Sequence, residues 1–453
     1  MEGARAVRDN ITPTRACVLH PALTRPQAGR HAHRRVREPE NRLAEAVSLA
    51  RAIDLEIVFA EVVPVQKPRP ATLLGPGRVE AVAEAASAHG LELIVVDGAL
   101  TPVQQRNLER SWHCKVIDRT ALILEIFAAR AHTREGRLQV ELAALRYQRS
   151  RLVRSWTHLE RQRGGFGFVG GPGETQIEAD RRQIRTRIGR LERAIEGVKR
   201  TRGLHRAARQ RVPYPVIALV GYTNAGKTTL FNRLTGASAG ARNQLFATLD
   251  PTMRGFVLPS GLRVILSDTV GFVSDLPHDL VAAFRATLEE VIAADLIVHV
   301  RDIAHAESAE QRVDVLRVLT ELGLEDRLRI DVVEVLNKLD LLDLRQRADL
   351  GGQNGEGVAE VNGNQDHAGA VAASALTGDG IDDLVALIDA RLTAARRIVE
   401  VRVPYADGAT LAWLHRHGEV LERADEEGEA RLRVGLTPAD AGRLEHRPGV
   451  SLA

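Results

Sequence analysis

The sequence predicts an α/β protein whose mostly parallel sheets are flanked by helices and interrupted by one long helical hairpin. Three features of the pattern predict this architecture. Apolar β-branched runs alternate with helical periods over residues 41–129, two heptad-spaced stretches lie within residues 130–212, and the alternation returns over residues 213–397. A short α/β appendix follows at 398–453. Of the 453 residues, 44% are hydrophobic, which is enough for each region to build a core.

The composition excludes several classes of protein. No run approaches the roughly 18 consecutive apolar residues of a membrane-spanning helix, and charges occupy the N-terminus where a signal peptide is apolar. The cysteines, Cys17 and Cys114, are typical of a cytosolic chain rather than of a disulfide framework. We therefore expect a cytoplasmic protein with no membrane span. Residues 1–40, rich in arginine and apolar only in ACVL, are predicted to be a flexible basic tail.

Residues 41–129 are predicted to form a small parallel α/β subdomain. Helical stretches at 42–52, 77–88 and 101–112 alternate with strands at 57–63, 91–98 and 114–119, and a further helix begins at Thr120. Thr101 and Pro102 have the pattern of a helix cap. The GPGR at 75–78 precedes a helix, but such a turn is more often only a turn than a phosphate loop.

Residues 130–212 are predicted to form an antiparallel helical hairpin that binds a polyanion. Apolar residues repeat at heptad spacing on both sides of GGFGFVGGPG (164–173), and a capping-box pattern at Thr175 predicts the start of the second helix. From 130 to 211 there are 21 basic against eight acidic residues, a balance of +13, while the whole chain carries +3. A solvated coiled-coil face normally mixes both signs, so this segment favours RNA binding. Phe166 and Phe168 at the break would either stack on unpaired bases or pack into the hairpin itself.

From Val216 the pattern is that of a nucleotide-binding domain. A strand at 216–220 is followed by eight residues that match G-x-x-x-x-G-K-[ST], and a helix follows them. These eight are Gly221, Tyr222, Thr223, Asn224, Ala225, Gly226, Lys227 and Thr228. In such a loop, backbone N–H groups surround the phosphates, Lys227 reaches the β- and γ-phosphates, and the Thr228 hydroxyl binds Mg²⁺.

Two further motifs complete a predicted magnesium and phosphate site. The strand at 264–266 leads into a D-x-x-G motif whose carboxylate holds Mg²⁺, usually through water, and whose last N–H senses the γ-phosphate; its residues are Asp268, Thr269, Val270 and Gly271. A switch loop between the motifs contains Phe246, Ala247, Thr248, Leu249 and Asp250. Thr248 is the candidate second hydroxyl ligand of Mg²⁺. The candidate catalytic residues are Lys227, Thr248 and Gly271.

Two later motifs are typical of a pocket that reads guanine. One follows the strand at 332–336 and consists of Asn337, Lys338, Leu339 and Asp340. Asp340 can accept both N1–H and N2–H of guanine, which adenine does not offer. The other follows the strand at 371–373 and presents backbone N–H groups to guanine O6 from Ser374, Ala375 and Leu376. Between these motifs, residues 351–370 are predicted to be a flexible insertion.

The residue after the D-x-x-G motif predicts slow hydrolysis of GTP by the isolated protein. Phe272 stands where Ras-type GTPases have a water-orienting glutamine, and a phenyl ring cannot polarise water. A partner would then accelerate the reaction. Asn224 resembles the asparagine of potassium-activated GTPases, and the alternative is that it only stabilises the loop.

The P-loop, FATLDPT, DTVGF, NKLD and SALTG together resemble the translational GTPases of the Obg–HflX superfamily. The segments VIDRTALILEIFAARAHTREGRLQVELAALRY (116–147), RLVRSWTHLERQRGG (151–165) and GGPGETQIEADRR (170–182) resemble the HflX family in particular. The chain departs from the usual family pattern in its basic N-terminus, the insertion at 351–370 and Arg301-Asp302.

The resemblance implies a GTPase that binds the large ribosomal subunit and its rRNA, as a monomer, and splits or recycles stalled or idle ribosomes. It also implies that the hairpin loop approaches the peptidyl-transferase region. Two alternatives remain open: a GTPase of ribosome assembly, rRNA maturation or tRNA modification, and a non-enzymatic RNA-binding scaffold that nucleotide stabilises. An ATP-driven activity suggested for the family has no convincing phosphate loop in the N-terminal region.

Overall fold

In the computed structural model, the chain divides into two compact units. The first contains residues up to Ile195 together with Phe246, and the second contains the remaining described residues. The structure describes residues 13–24, 37–162, 172–209, 214–237, 246, 252–274, 288–329, 331–351, 370–394, 397–426, 428–436, 441, 444 and 451–452.

The first unit is built on a parallel four-stranded sheet. Its strands are β1 (Arg15–Leu23), β2 (Glu56–Val65), β3 (Leu93–Val96) and β4 (Lys115–Asp118), in the order β2-β1-β3-β4. Its helices are α1 (Pro39–Arg51), α2 (Pro76–His89), α3 (Pro102–Trp112) and α4 (Arg119–Arg130). The predicted cap of α3 is confirmed, because the Thr101 hydroxyl accepts from Gln104 N and the Gln104 side chain accepts from Thr101 N.

The prediction that residues 1–40 form a tail is wrong for Arg15–Leu23. This segment is β1, a central strand that pairs with β2 on one side and β3 on the other. The run Ala16–Leu19 is fully buried. A parallel sheet with both faces covered needs continuous apolar strands, so the short ACVL run was the signal for this strand. Residues 1–12 and 25–36 lie outside the described residues.

The helical hairpin is present, with arms α5 (Arg134–Gln162) and α6 (Pro172–Arg209). Its seam follows the predicted heptads, with Leu142 and Leu145 of α5 packed against Ile188, Leu191 and Ile195 of α6. Ion pairs join the arms from Arg146 to Glu192 and from Arg187 to Glu141. The helix α6 begins at Pro172, three residues before the predicted cap at Thr175, so that boundary is wrong. Phe166 and Phe168 lie outside the described residues.

One carboxylate links the middle of α5 to the sheet. Asp118 Oδ1 accepts from the Tyr147 hydroxyl at 2.7 Å, and Oδ2 accepts from Arg151 Nη1 at 3.0 Å. The same carboxylate caps α4 by accepting from Ala121 N at 2.9 Å. Burial and the neighbouring Asp118 charge raise the pKa of Tyr147, so its hydroxyl stays a donor. The middle of α5 is therefore fixed to the end of β4.

The second unit contains a six-stranded sheet in the order β10-β9-β8-β5-β7-β6, parallel except for the edge strand β6. The strands are β5 (Val216–Gly221), β6 (Thr252–Val257), β7 (Arg263–Asp268), β8 (Leu296–Asp302), β9 (Val332–Asn337) and β10 (Ala370–Ala372). The helices are α7 (Lys227–Thr235), α8 (Ser308–Glu321), α9 (Leu344–Gly351) and α10 (Ile381–Ala394). All the predicted nucleotide motifs that the structure describes follow the carboxyl ends of these parallel strands, the edge where ligands bind in such sheets.

The C-terminal part is a small antiparallel sheet with one helix. Its elements are β11 (Arg397–Pro404), α11 (Gly408–His417), β12 (Glu419–Glu426), β13 (Glu429–Leu436) and β14 (Ser451–Leu452), and the strand order is β12-β13-β11-β14. Across the described residues, no helix has the length and apolar character needed to cross a membrane. The predicted insertion at 351–370 lies, apart from its two end residues, outside the described residues.

Candidate functional site

The loop after β5 has a backbone that only glycine can form at two positions. Gly221 has φ +153°, and a Cβ there would lie 2.2 Å from Val300 O. Gly226 has φ +95°, and a Cβ there would lie 2.2 Å from Asn337 Nδ2. The first glycine lets β5 turn tightly beside β8, and the second lets the loop approach the predicted guanine motif. The structure thus forms the predicted P-loop between β5 and α7.

Lys227 lies inside this loop, at the start of α7. Its ammonium donates to Tyr222 O at 2.8 Å and to Gly221 O at 3.1 Å. Burial lowers the pKa of Lys227 to about 8, and the Asp268 carboxylate opposes part of that shift. The protein therefore only partly balances the positive charge of this ammonium, and phosphate oxygens would supply further negative charge.

The two described residues predicted to bind magnesium lie next to each other. The Thr228 hydroxyl donates to Asp268 Oδ2 at 2.8 Å. Asp268 ends β7, which runs parallel beside β5, so both side chains reach the same edge of the sheet. Hydroxyl and carboxylate oxygens are the ligands that Mg²⁺ prefers, and Asp268 is almost completely buried. This pair therefore fits a magnesium ion.

The segment after Asp268 is held against the P-loop by its backbone. Thr223 N donates to Phe272 O at 2.7 Å, and Phe272 N donates to Gly221 O at 3.1 Å. A Cβ on Gly271 would lie 2.9 Å from Thr223 Cα and 3.1 Å from Lys227 Nζ. Gly271 thus lies beside Lys227, and any side chain there would crowd the ammonium. Phe272 itself is buried.

Asn337 joins the P-loop to the two guanine motifs. Its Nδ2 donates to Ala225 O at 2.8 Å, and its Oδ1 accepts from Ala375 N at 2.9 Å. The Ser374 hydroxyl donates to Asp340 Oδ1 at 2.5 Å. Three motifs that are far apart in sequence therefore form one connected site, as predicted.

Two residues of this site were missed in the sequence analysis as site residues. Asp302, the last residue of β8, places Oδ2 at 2.7 Å from Lys338 Nζ. Arg233 of α7 donates to the carbonyls of Ala375 and Leu376. Neither residue belongs to a motif. Asp302 was noted only as part of the Arg301-Asp302 departure from the family pattern, and the structure places it opposite Asn337 in the adjacent strand.

Arg301, noted as a departure from the family pattern, takes no part in this site. Its guanidinium pairs with Glu334 at 3.1 Å, and Arg312 pairs with the same carboxylate. His299, whose Nδ1 lies 3.7 Å from this carboxylate, and the two arginines together lower the pKa of Glu334 despite its burial. The arginine is therefore a neutralised member of a buried cluster between β8, β9 and α8.

The predicted switch loop is described only at Phe246. Its ring is buried in the first unit, edge-on to Phe127 with centroids 4.6 Å apart. Ala247, Thr248, Leu249 and Asp250 lie outside the described residues, so the role of Thr248 stays a prediction.

Four family models match consecutive parts of the chain. They are described as GTP-binding GTPase N-terminal (residues 40–128), GTP-binding GTPase Middle Region (130–209), 50S ribosome-binding GTPase (216–338) and HflX C-terminal domain (359–452). Together they cover nearly all of the sequence from residue 40 onward.

Two relatives are similar over most of their length. A GTPase HflX of Magnetococcus marinus is 48% identical over 90% of this chain and 92% of its own. A GTPase HflX of Escherichia coli is 44% identical over 83% of this chain and 85% of its own. Among solved structures, a GTP-binding protein of Sulfolobus solfataricus in complex with GDP is 21% identical over 84% of this chain and 99% of its own, with a TM-score of 0.44.

The resemblance drawn from the sequence motifs is confirmed by the family models and the two HflX relatives. The fold, the P-loop and the connected guanine motifs are those that the hydrolysis of GTP requires. The chain belongs to the HflX family of GTPases.

Proposed function

We propose that this GTPase binds the large ribosomal subunit and uses GTP binding and ribosome-stimulated hydrolysis to split or recycle stalled or idle ribosomes. The observation that carries the proposal is one chain that contains both a guanine-nucleotide site and a basic helical hairpin. A family model for ribosome-binding GTPases matches the nucleotide domain, and this supports the choice of partner. The protein acts as a monomer in the cytoplasm, partly bound to ribosomes.

The described site supports a definite division of roles. Lys227 binds the β- and γ-phosphates, and Gly271 N–H senses the γ-phosphate. Thr228, Thr248 and Asp268 hold Mg²⁺, with Asp268 acting through water. Asn337, Asp340 and the loop 374–376 bind guanine. A magnesium ion held there would supply positive charge that offsets the negative charge of the phosphates.

The site also explains why a partner is needed. The segment that follows Gly271 is tied to the P-loop, and its first side chain is the buried ring of Phe272. A phenyl ring cannot orient water, so the residue that activates the nucleophile has to come from elsewhere or be rearranged on the ribosome.

The hairpin offers a face for RNA phosphates. On α6, the side chains of Arg182, Arg185 and Arg190 are exposed, and no carboxylate of the described residues pairs with them. They lie away from the seam formed by Ile188 and Leu191. Exposed guanidinium groups bind phosphate by releasing condensed counterions.

A monovalent cation is a further element of the proposal. Asn224 adopts φ +59° inside the P-loop, a conformation that asparagine tolerates better than most residues. We propose that its side chain helps to hold K⁺ beside the phosphates. Hydrolysis should then fall when potassium is replaced by sodium, and equal rates in the two salts would leave Asn224 as a loop-stabilising residue only.

The splitting of ribosomes is tested by sedimentation. Intact ribosomes mixed with this protein and GTP should separate into subunits, and GDP should not support the separation. Ribosomes that stay intact while the protein is bound would favour a role in assembly or a scaffold. A modification enzyme is less well supported, because the described residues contain no cluster of metal-binding side chains for a second active site.

A further inference from the structure

The loop that faces guanine O6 has one amide left to donate. Within residues 374–378, Ser374 N donates to Asp379 O and Gly378 N donates to Ser374 O. Ala375 N donates to Asn337 Oδ1, and Thr377 N donates to Ser374 Oγ. In the described part of the chain, Leu376 N–H alone among these five amides has no acceptor.

The peptide that carries this amide is held from its other side. Arg233 Nε donates to Ala375 O at 2.7 Å, and Nη2 donates to Leu376 O. In a planar trans peptide, the carbonyl of residue 375 and the N–H of residue 376 point in opposite directions. Fixing Ala375 O therefore fixes the direction in which Leu376 N–H points.

The surroundings of Arg233 fit this contact. Gly378 has φ +104°, and a Cβ there would lie 2.9 Å from Arg233 Nη1. Glycine at this position therefore leaves room for the guanidinium to reach both carbonyls. A planar guanidinium can donate to two acceptors at fixed spacing, whereas a lysine ammonium of similar reach has no such geometry.

We propose that Arg233 is a specificity-determining positioning residue, which aims Leu376 N–H at O6 of guanine by holding the Ala375–Leu376 peptide. Arg233 acts through the loop and touches no nucleotide. It also connects base and phosphate recognition, because α7 begins with Lys227 and Thr228. The inference rests on the guanine-nucleotide site proposed above.

Three nucleotides separate this role from a general effect on the pocket. GDP carries O6, N1–H and the N2 amine. IDP keeps O6 but lacks the N2 amine. The diphosphate of 6-thioguanosine keeps N1–H and the N2 amine but carries sulfur, a weak acceptor, in place of O6.

The experiment measures equilibrium binding of these nucleotides to the full chain and to Arg233→Gln. We expect GDP and IDP each to bind about tenfold more weakly, as for loss of the hydrogen bond from Leu376 N–H to O6, and 6-thio-GDP to change by less than about twofold. Arg233→Lys, which can keep one of the two contacts, should give an intermediate loss. Arg263→Gln is the matched control, since it removes an exposed arginine of the same unit without a side-chain hydrogen bond in the described residues.

If Arg233→Gln lost the same affinity for all three nucleotides, or lost affinity for none of them, the proposed role of Arg233 would be overturned. Failure of the wild-type protein to prefer GDP to ADP would instead overturn the guanine site itself. The two failures are therefore distinguishable in one set of titrations.

Discussion

Asp302 Oδ2 lies 2.7 Å from the ammonium of Lys338, the lysine of the guanine motif. The two residues come from the ends of adjacent parallel strands, β8 and β9. Ala304 N donates to Asp302 Oδ1 at 3.1 Å, which sets the carboxylate in place. Lys338 has φ +69°, so its backbone is also fixed in an unusual conformation. The ion pair thus fixes the side chain of Lys338 within the predicted guanine motif.

Removal of this carboxylate should weaken nucleotide binding. In Asp302→Asn the ammonium loses its charged partner, so we expect the Kd for GDP to rise about tenfold, with the kcat for GTP at saturation nearly unchanged. Asp326→Asn, an exposed carboxylate of the same unit, is the control. In a double-mutant cycle, Lys338→Met and Asp302→Asn should be strongly non-additive. Additive losses would show that Asp302 does not act through Lys338.

Nucleotide binding should depend on pH through Lys227. In the nucleotide-free protein, burial lowers the pKa of Lys227 to about 8, and the phosphate charges of a bound nucleotide would raise it again. Below this pKa, Lys227 already carries its proton. Above it, Lys227 must take up a proton when nucleotide binds, so the affinity for nucleotide falls as pH rises. Between pH 7 and pH 8.5, a pKa of about 8 predicts roughly fourfold weaker GDP binding.

Calorimetry in buffers of different ionisation enthalpy checks this directly. Net proton uptake on GDP binding at pH 8.5 is the expected result, and it should disappear in Lys227→Met. Binding without proton uptake at that pH would show that the lysine is fully protonated before nucleotide binds.

The packing of α5 on the sheet of the first unit should be stabilised by the Asp118 contacts. Tyr147→Phe deletes the hydroxyl that donates to Asp118, and we expect a loss of about 1–2 kcal/mol in the stability of the first unit. Asp118→Ala removes several contacts at once and should reduce the stability of the first unit further. Hydrogen exchange at the amides of β4 and α4 measures the loss. Tyr214→Phe is the control, because that hydroxyl has no hydrogen bond within the described residues, and equal protection in both variants would contradict the role of Asp118.

The exposed arginines of α6 should contribute to subunit binding without holding the hairpin together. Reversal of Arg182, Arg185 and Arg190 to glutamate should weaken binding to large subunits and flatten its dependence on salt. Arg187 is unsuitable for this test, because it pairs with Glu141 across the hairpin. Helicity by circular dichroism should stay unchanged. Undiminished binding would indicate that these arginines belong to an ordinary solvent-exposed helix surface that does not bind RNA.

Much of the site was predictable because its chemistry requires fixed residues at fixed spacing. Gly226, Lys227 and Asp268 stand where phosphate and magnesium binding demand them, and each follows a strand that the apolar pattern reveals. Arg233 and Asp302 were not predictable in the same way. Arg233 binds backbone carbonyls more than 140 residues away. Because every residue has a carbonyl, no residue type in the loop indicates this contact.

The fold was likewise predictable only in part. The seam of the hairpin follows from heptad spacing, whereas β1 was missed because its flanks are rich in arginine and its apolar core is only four residues long. A central strand needs partners on both sides, and those partners lie about 40 and 80 residues downstream. The residues around a strand do not indicate which distant strands it pairs with.

We expect GTP hydrolysis at the nucleotide site to be slow in the isolated protein and activated on the large ribosomal subunit. The most direct measurement is the rate of GTP hydrolysis with and without purified large subunits, at a fixed magnesium concentration. We expect at least a tenfold rise on addition of subunits, because Phe272 leaves the protein without its own water-orienting side chain. A rate that stays within twofold of the rate of the isolated protein would contradict the claim.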